Sequence, residues 1–330
     1  MKKLFLSLVA LVMATMSYAQ TKLVATLSQG DNVEMFYGAG AFESAYNAAQ
    51  SGDVITLSGG EFTGFTITKA VTIRGAGIDA SIPTRISNNM IINVPKSDTC
   101  RFSMEGVRFS KYLYLYGTCI EPYFLKCLFS AVYFYSSGDY NASSIKDAMF
   151  VNCKFTSSLS MYGSTTAKFS HCYIHNYSVG RDYSCKAQFL NCVIRGNISA
   201  FYRSTLVNSI LIDTSELRLP AETVAMNCTA IGNDSPYSNM QGSDISCSTS
   251  TYAKVFKSYK GAYSDSQTFE LTEEAATELL GTDGTQIGLY GGQYPYNSTP
   301  AYPRITKLNV AKQSTADDKL SVDIEVSATE

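Results

Sequence analysis

Hydrolysis of a glycosidic bond needs two carboxylates at a defined separation, one as acid and one as base or nucleophile. Elimination instead needs carboxylates that hold a cation, and a Lys or Arg to take a proton beside a carbonyl. The chain is poor in both. Asp139, Asp147, Asp182 and Asp213 are scattered through its middle, and no two recur at one position of neighbouring segments. The candidate catalytic residues are Asp139, Arg181 and Asp182, with Arg203 close by, and the reading as ordinary turn residues is the stronger one. His171-Cys172-Tyr173-Ile174-His175 has zinc-binding residue types. With Cys172 and Ile174 facing inward, however, the histidines diverge, whereas a zinc site needs four convergent ligands. No metal and no cofactor is expected.

Aromatic chemistry is richer, with 23 tyrosines and no tryptophan. Tyr112, Tyr114 and Tyr116, then Tyr133 and Tyr135, then Tyr162, alternate with aliphatic residues and would share one strand face. Such a face binds sugars by stacking on their C–H groups, the phenols supplying hydrogen bonds. The alternative is that these are good strand formers whose cross-strand pairs stabilise a sheet.

The elements that must position these residues come from an internal repeat. Phe124-Leu125-Lys126-Cys127-Leu128-Phe129 is followed by Phe150-Val151-Asn152-Cys153-Lys154-Phe155, by Phe169-Ser170-His171-Cys172-Tyr173-Ile174 and by Phe189-Leu190-Asn191-Cys192-Val193-Ile194. Fainter copies lie at Leu206–Leu211, around Asn227-Cys228, and earlier at Gly106-Val107-Arg108-Phe109. The Cys position recurs after 26, 19, 20, 17 and 19 residues, with Ser209 and Gly106 standing in for Cys.

Large apolar residues at the first and sixth positions and a small one at the fourth cannot all face one way on a flat strand. A bend at the third position restores the alternation, and Asn tolerates the left-handed backbone a bend requires. Asn is also expected to hydrogen-bond its equivalents one coil above and below. Each unit leads into a second strand: Tyr112–Tyr116, Val132–Tyr135, Leu159–Met161 and Ile198–Ala200. Stacked units would bury ladders of Phe, Cys and Phe/Ile that one unit could not bury alone. The expected fold is therefore an all-β, right-handed parallel β-helix. A leucine-rich-repeat horseshoe has a similar period, but its leucine spacing is absent.

Upstream, Ala41–Ala49 reads as an amphipathic capping helix. It precedes Gly52-Asp53-Val54-Ile55-Thr56-Leu57, Phe65-Thr66-Ile67 and Ile73-Arg74-Gly75-Ala76-Gly77. These segments resemble the opening coil of the pectin-lyase-like β-helix superfamily, and the Asn-Cys units resemble its repeats. Asp283–Gly292 resembles the last coil of secreted β-helix proteins of Bacteroidetes. The likeness spans residues 35 to 295. It implies the fold but no single activity, because that superfamily hosts lyases, hydrolases and adhesins.

The chain reads as a signal peptide at 1–19, a β-helix at 20–298 and a short C-terminal antiparallel tail at 299–330. Lys2 and Lys3, the apolar run Leu4–Met16 and Ser17-Tyr18-Ala19 make the leader, too short for a membrane span. No Cys follows the cleavage point, so an exported product without a lipid anchor is expected, in the periplasm or outside. In the tail, Ile305–Val310 and Leu320–Val326 read as two strands. Thr272–Leu280 reads as a short helix.

Net charge is −2 overall, which provides no basic field for nucleic acid. Among nine cysteines, Cys127, Cys153, Cys172, Cys192 and Cys228 share one repeat position and are read as buried thiols. Disulfides are left open for Cys100, Cys119, Cys185 and Cys247. Three functions stay in view: an exported non-catalytic protein binding a polysaccharide or a cell-surface component through its tyrosines, a polysaccharide lyase or glycoside hydrolase, and a structural or adhesive envelope protein.

Overall fold

The computed structural model describes residues 23–95, 100–117, 119–135, 144–179, 184–195, 201–212, 222–231, 245–248, 252–261, 263–264, 267–310 and 322–327. The chain forms a parallel β-solenoid. An 11-stranded sheet and a 13-stranded sheet face each other across one core, and the chain alternates between them coil by coil. The leader, Asp139, Arg181, Asp182 and Ile198–Ala200 lie outside the described residues.

The repeat works as its spelling demands. On the first sheet Ile73, Met104, Phe124, Phe150, Phe169, Phe189, Leu206 and Ala225 are in register and buried. The Phe rings stack almost parallel, at centroid distances of 4.8 Å for Phe124–Phe150, 5.2 Å for Phe150–Phe169 and 5.0 Å for Phe169–Phe189. Two residues later the backbone turns left-handed at Gly106, Lys126, Asn152, His171, Asn191, Asn208 and Asn227, with φ between 47° and 67°. The turn lets the next residue point inward: Cys or Ser in the later coils, and Val107 after Gly106. Gly106 is therefore itself a bend residue and, contrary to the expectation, Val107 takes the Cys position. A second ladder follows on the other sheet: Phe109, Phe129, Phe155, Ile174, Ile194, Leu211 and Ala230.

The cysteines fill the corner between these ladders. Cys127, Cys153, Cys172 and Cys192 are buried thiols. Each donates to the carbonyl two residues back and to a carbonyl one coil below, at 3.3 to 3.6 Å. Ser209 repeats the local bond, to Val207 O at 2.9 Å, so a small side chain with a polar hydrogen suffices there.

Helix Ala41–Ala48 buries Ala41, Phe42, Ala45 and Tyr46 over the first coils. Phe42 meets Phe65 at 4.7 Å, and Lys69 Nζ caps the helix C-terminus through the carbonyls of Tyr46, Asn47 and Ala49. Near the other end of the chain, helix Glu273–Glu278 is capped by Thr272, whose Oγ1 accepts from Ala275 N.

Two further expectations need correcting. Among the described residues the bend side chains do not bond to one another; except for Asn152, whose buried Oδ1 has no partner, they hold the C-terminal segment. Asn227 Nδ2 donates to Leu280 O, Asn208 exchanges two bonds with Thr282, and Asn191 Nδ2 donates to Gly288 O. His171 Nε2 donates to Gly291 O at 3.0 Å. Lys126 Nζ donates to Thr299 O, Glu105 accepts from Ala301 N at 2.8 Å, and Tyr302 donates to Gly75 O. Residues 280–302 thus form a strap that retraces the ridge of bends from the last coils to the first. Bend side chains are polar and point outward, so an external backbone satisfies them better than the crowded axis of a coil.

For the same reason 283–292 is not a final coil. The last parallel strand is Ile245–Ser248, and the stretch with Asp283-Gly284-Thr285 belongs to the strap. The described residues of 252–279, together with Ile287 and Leu289 of the strap, cover the outer face of the second sheet. Val193, Ile210, Ile212 and Ile231 pack there against Val255, Phe256, Phe269, Ile287 and Leu289. The tail strands, Arg304–Val310 and Val322–Ser327, pair antiparallel as read.

Candidate functional site

The second strand of each coil carries the tyrosines. After Phe109 the register slips, with Phe109 opposite Phe129 but Tyr112 opposite Ala131. Two residues, Ser110 and Lys111, therefore stand against Ser130 alone, a β-bulge that turns Ser110, Lys111 and Tyr112 all outward. Beyond the bulge the alternation is strict. Leu113, Leu115, Val132, Phe134, Leu159 and Met161 are buried, which forces the intervening tyrosines to the surface.

Register then builds a grid. Tyr114 lies beside Ile91 on one side and Tyr133 on the other, and Tyr116 lies beside Tyr135. Tyr114 and Tyr133 stack at 5.6 Å with planes 24° apart, and Tyr112 meets Tyr133 edge-on at 5.5 Å. Tyr116 and Tyr135 are 6.1 Å apart. On the next coil the column continues as Ser160, then Ser178, whose hydroxyls are 2.8 Å apart. The aromatic surface is thus bounded by Ile91 and by a serine pair.

All six tyrosines singled out in the sequence line one open groove of about 430 Å³, with Ile91 completing it. Among the described residues no carboxylate lines it, and none of the described C-terminal segment covers it. Tyr112 is 41% exposed, the others less so. The hydroxyls of Tyr112, Tyr116 and Tyr133 make no hydrogen bond with the described residues and remain open to a ligand. The arrangement presents edges and faces of aromatic rings together with phenol donors, and offers no acid or base pair.

The histidine motif resolves into two separate environments. His171 holds the strap through Nε2 while Nδ1 receives the Ser170 hydroxyl at 2.9 Å, so the neutral ring is satisfied at both nitrogens. Burial pushes its pKa below the usual 6.5. Arg195 reaches His175 Nε2 at 3.1 Å, and Tyr173 OH lies 3.0 Å from Nδ1. Arg203 pairs with Glu222 at 2.8 Å on the surface, away from the tyrosines' groove. Among the described residues no cluster of His, Cys, Asp or Glu could hold a metal ion.

Sequence reasoning missed the bulge and the polar concavity beside it, lined by Gly64, Asn88, Asn89, Lys111 and Tyr112. A Lys directly before an alternating strand was the available signal. Compared with known protein families, curated proteins and solved structures, the chain matches none.

Proposed function

We propose that this protein is an exported, non-catalytic carbohydrate-binding β-solenoid that holds a glycan chain, free or on a cell surface, along the tyrosine groove. The observation that carries the reading is the convergence of Tyr112, Tyr114, Tyr116, Tyr133, Tyr135 and Tyr162 on one groove that no carboxylate among the described residues lines. Sugar rings stack on phenol faces through their C–H groups, and the open hydroxyls offer the directional bonds that a sugar's own hydroxyls require. A preformed sheet holds those rings at fixed spacing, so little ordering cost falls on binding. The leader sequence supports the exported part of this reading.

The test is affinity electrophoresis of the mature protein against a panel of neutral and acidic polysaccharides, with chain length measured before and after incubation. Retardation with unchanged chain length is expected, and Tyr114→Ala or Tyr133→Ala should weaken it about tenfold without altering the circular dichroism spectrum. Shortened chains, or binding indifferent to both substitutions, would overturn the proposal.

A further inference from the structure

The groove does not end at Tyr112. That residue also lines a second concavity of about 600 Å³, whose other walls are Gly64, Asn88, Asn89 and Lys111. The two spaces share a wall, so one extended ligand lying across Tyr112 would enter both. Their chemistry differs sharply. The first is phenolic, whereas the second is walled by two exposed Asn side chains and an exposed ammonium.

Three features make the second space a built one. The bulge at Ser110-Lys111 sets Lys111 outward beside Tyr112, a placement regular alternation forbids. Asn89 is held by its Oδ1, which accepts from Tyr112 N at 3.2 Å, so its amide nitrogen is the end left facing out. At Gly64 the neighbouring coil approaches closely. A Cβ there would sit 2.7 Å from Asn89 O and 3.0 Å from Asn88 O, so any larger residue would push the Asn pair away.

Lys111 makes no ion pair or hydrogen bond among the described residues. Its strand neighbour Arg108 is already engaged by Ile78 O and Asp79. Among the described residues no carboxylate lines the concavity. An unpaired ammonium beside amide donors, with no competing acid, is the donor set for an oxyanion.

We infer that Lys111, Asn88 and Asn89 form an anion subsite contiguous with the tyrosine platform, so that the preferred ligand is a glycan bearing sulfate or carboxylate substituents. This rests on the platform reading and specifies the charge of its ligand.

Dextran and dextran sulfate of matched length separate the two ideas, because they share one backbone and differ in their sulfate esters. Binding of each to the full mature protein is measured at several salt concentrations. The sulfated chain should bind at least tenfold tighter. Lys111→Gln should lower that affinity about fivefold, as for loss of one exposed charge contact, flatten its salt dependence, and leave dextran binding unchanged. Lys168→Gln, on the other sheet, should change neither. Equal affinity for both polymers, or an equal loss from Lys168→Gln, would overturn the subsite while leaving the platform standing. Tyr133→Ala should weaken both polymers alike. If neither polymer binds the folded protein, subsite and platform fall together.

Discussion

The strap should be removable by a single methyl group. Gly291 lies where the chain folds over Asn191. A Cβ built on it would sit 1.7 Å from Gln286 O and 2.5 Å from Asn191 Nδ2, far inside any real contact. Gly291→Ala therefore cannot be accommodated without lifting the strap there. Lifting it breaks the bonds from His171 to Gly291 O and from Asn191 to Gly288 O. Each is worth about 0.5–1.5 kcal/mol, and stranding the buried partners adds roughly 1 kcal/mol or more. The expected loss is about 2–4 kcal/mol. Gly284→Ala is the matched control. Its backbone is left-handed at φ 77° but a Cβ meets nothing within 4 Å, so only backbone strain of about 1 kcal/mol applies. Urea denaturation followed by circular dichroism measures both. Hydrogen exchange at the amide of Gly288, which donates to Asn208 O, reports the strap directly. If Gly291→Ala is no more harmful than Gly284→Ala, the clasp described here is wrong.

Phe150 touches the rings of Phe124, Phe129, Phe134, Phe155 and Phe169, all within 6.1 Å. Phe150→Ala should cost about 3–5 kcal/mol in a thermal or urea melt, and a loss under about 1 kcal/mol would mean the ladder is not the core. Burial holds His171 below 6.5, so the folded chain takes up that proton less readily than the unfolded one. Its contribution is complete above pH 6.5 and is lost as pH falls below 6.5 toward the lower folded-state value. Denaturation midpoints should decline over that range. His171→Asn, the residue used at four other bends, should flatten the decline, and an unchanged slope would refute the assignment.

Most of the solenoid was legible because its repeat couples residue size to direction. Cys127, Cys153, Cys172 and Cys192 marked the inward corner, and Asn152, His171 and Asn191 before the last three marked the left-handed turn, which Lys126 also adopts. The tyrosine grid was legible for the same reason, since Leu113, Leu115, Val132 and Phe134 could only face inward. What was not legible depends on partners distant in sequence. The strap pairs Glu105 with Ala301 across 196 positions, and nothing local in Gly288 or Gly291 declares an asparagine opposite. A second row of left-handed turns, at Glu121, Asp147, Arg203 and Glu222, was hidden because no single residue type runs through it and Glu and Arg are not residues that signal such a turn. The bulge at Lys111 was hidden because it is a mismatch between two strands and a property of neither alone.

The strap also bears on how the chain comes apart. A stack whose units touch only their neighbours frays from its ends, each terminal coil leaving independently. Here the coil carrying Asn208 is tied to the segment that ends at Gly75, 227 positions before Tyr302. Freeing either end must also release the tether from the coils between, so fraying becomes a concerted opening. The same ties form only after the last residues of the strap exist, and their large sequence separation predicts slow final locking after quick coil growth. Slow closure and slow release together describe a molecule that persists by its unfolding rate more than by its equilibrium stability.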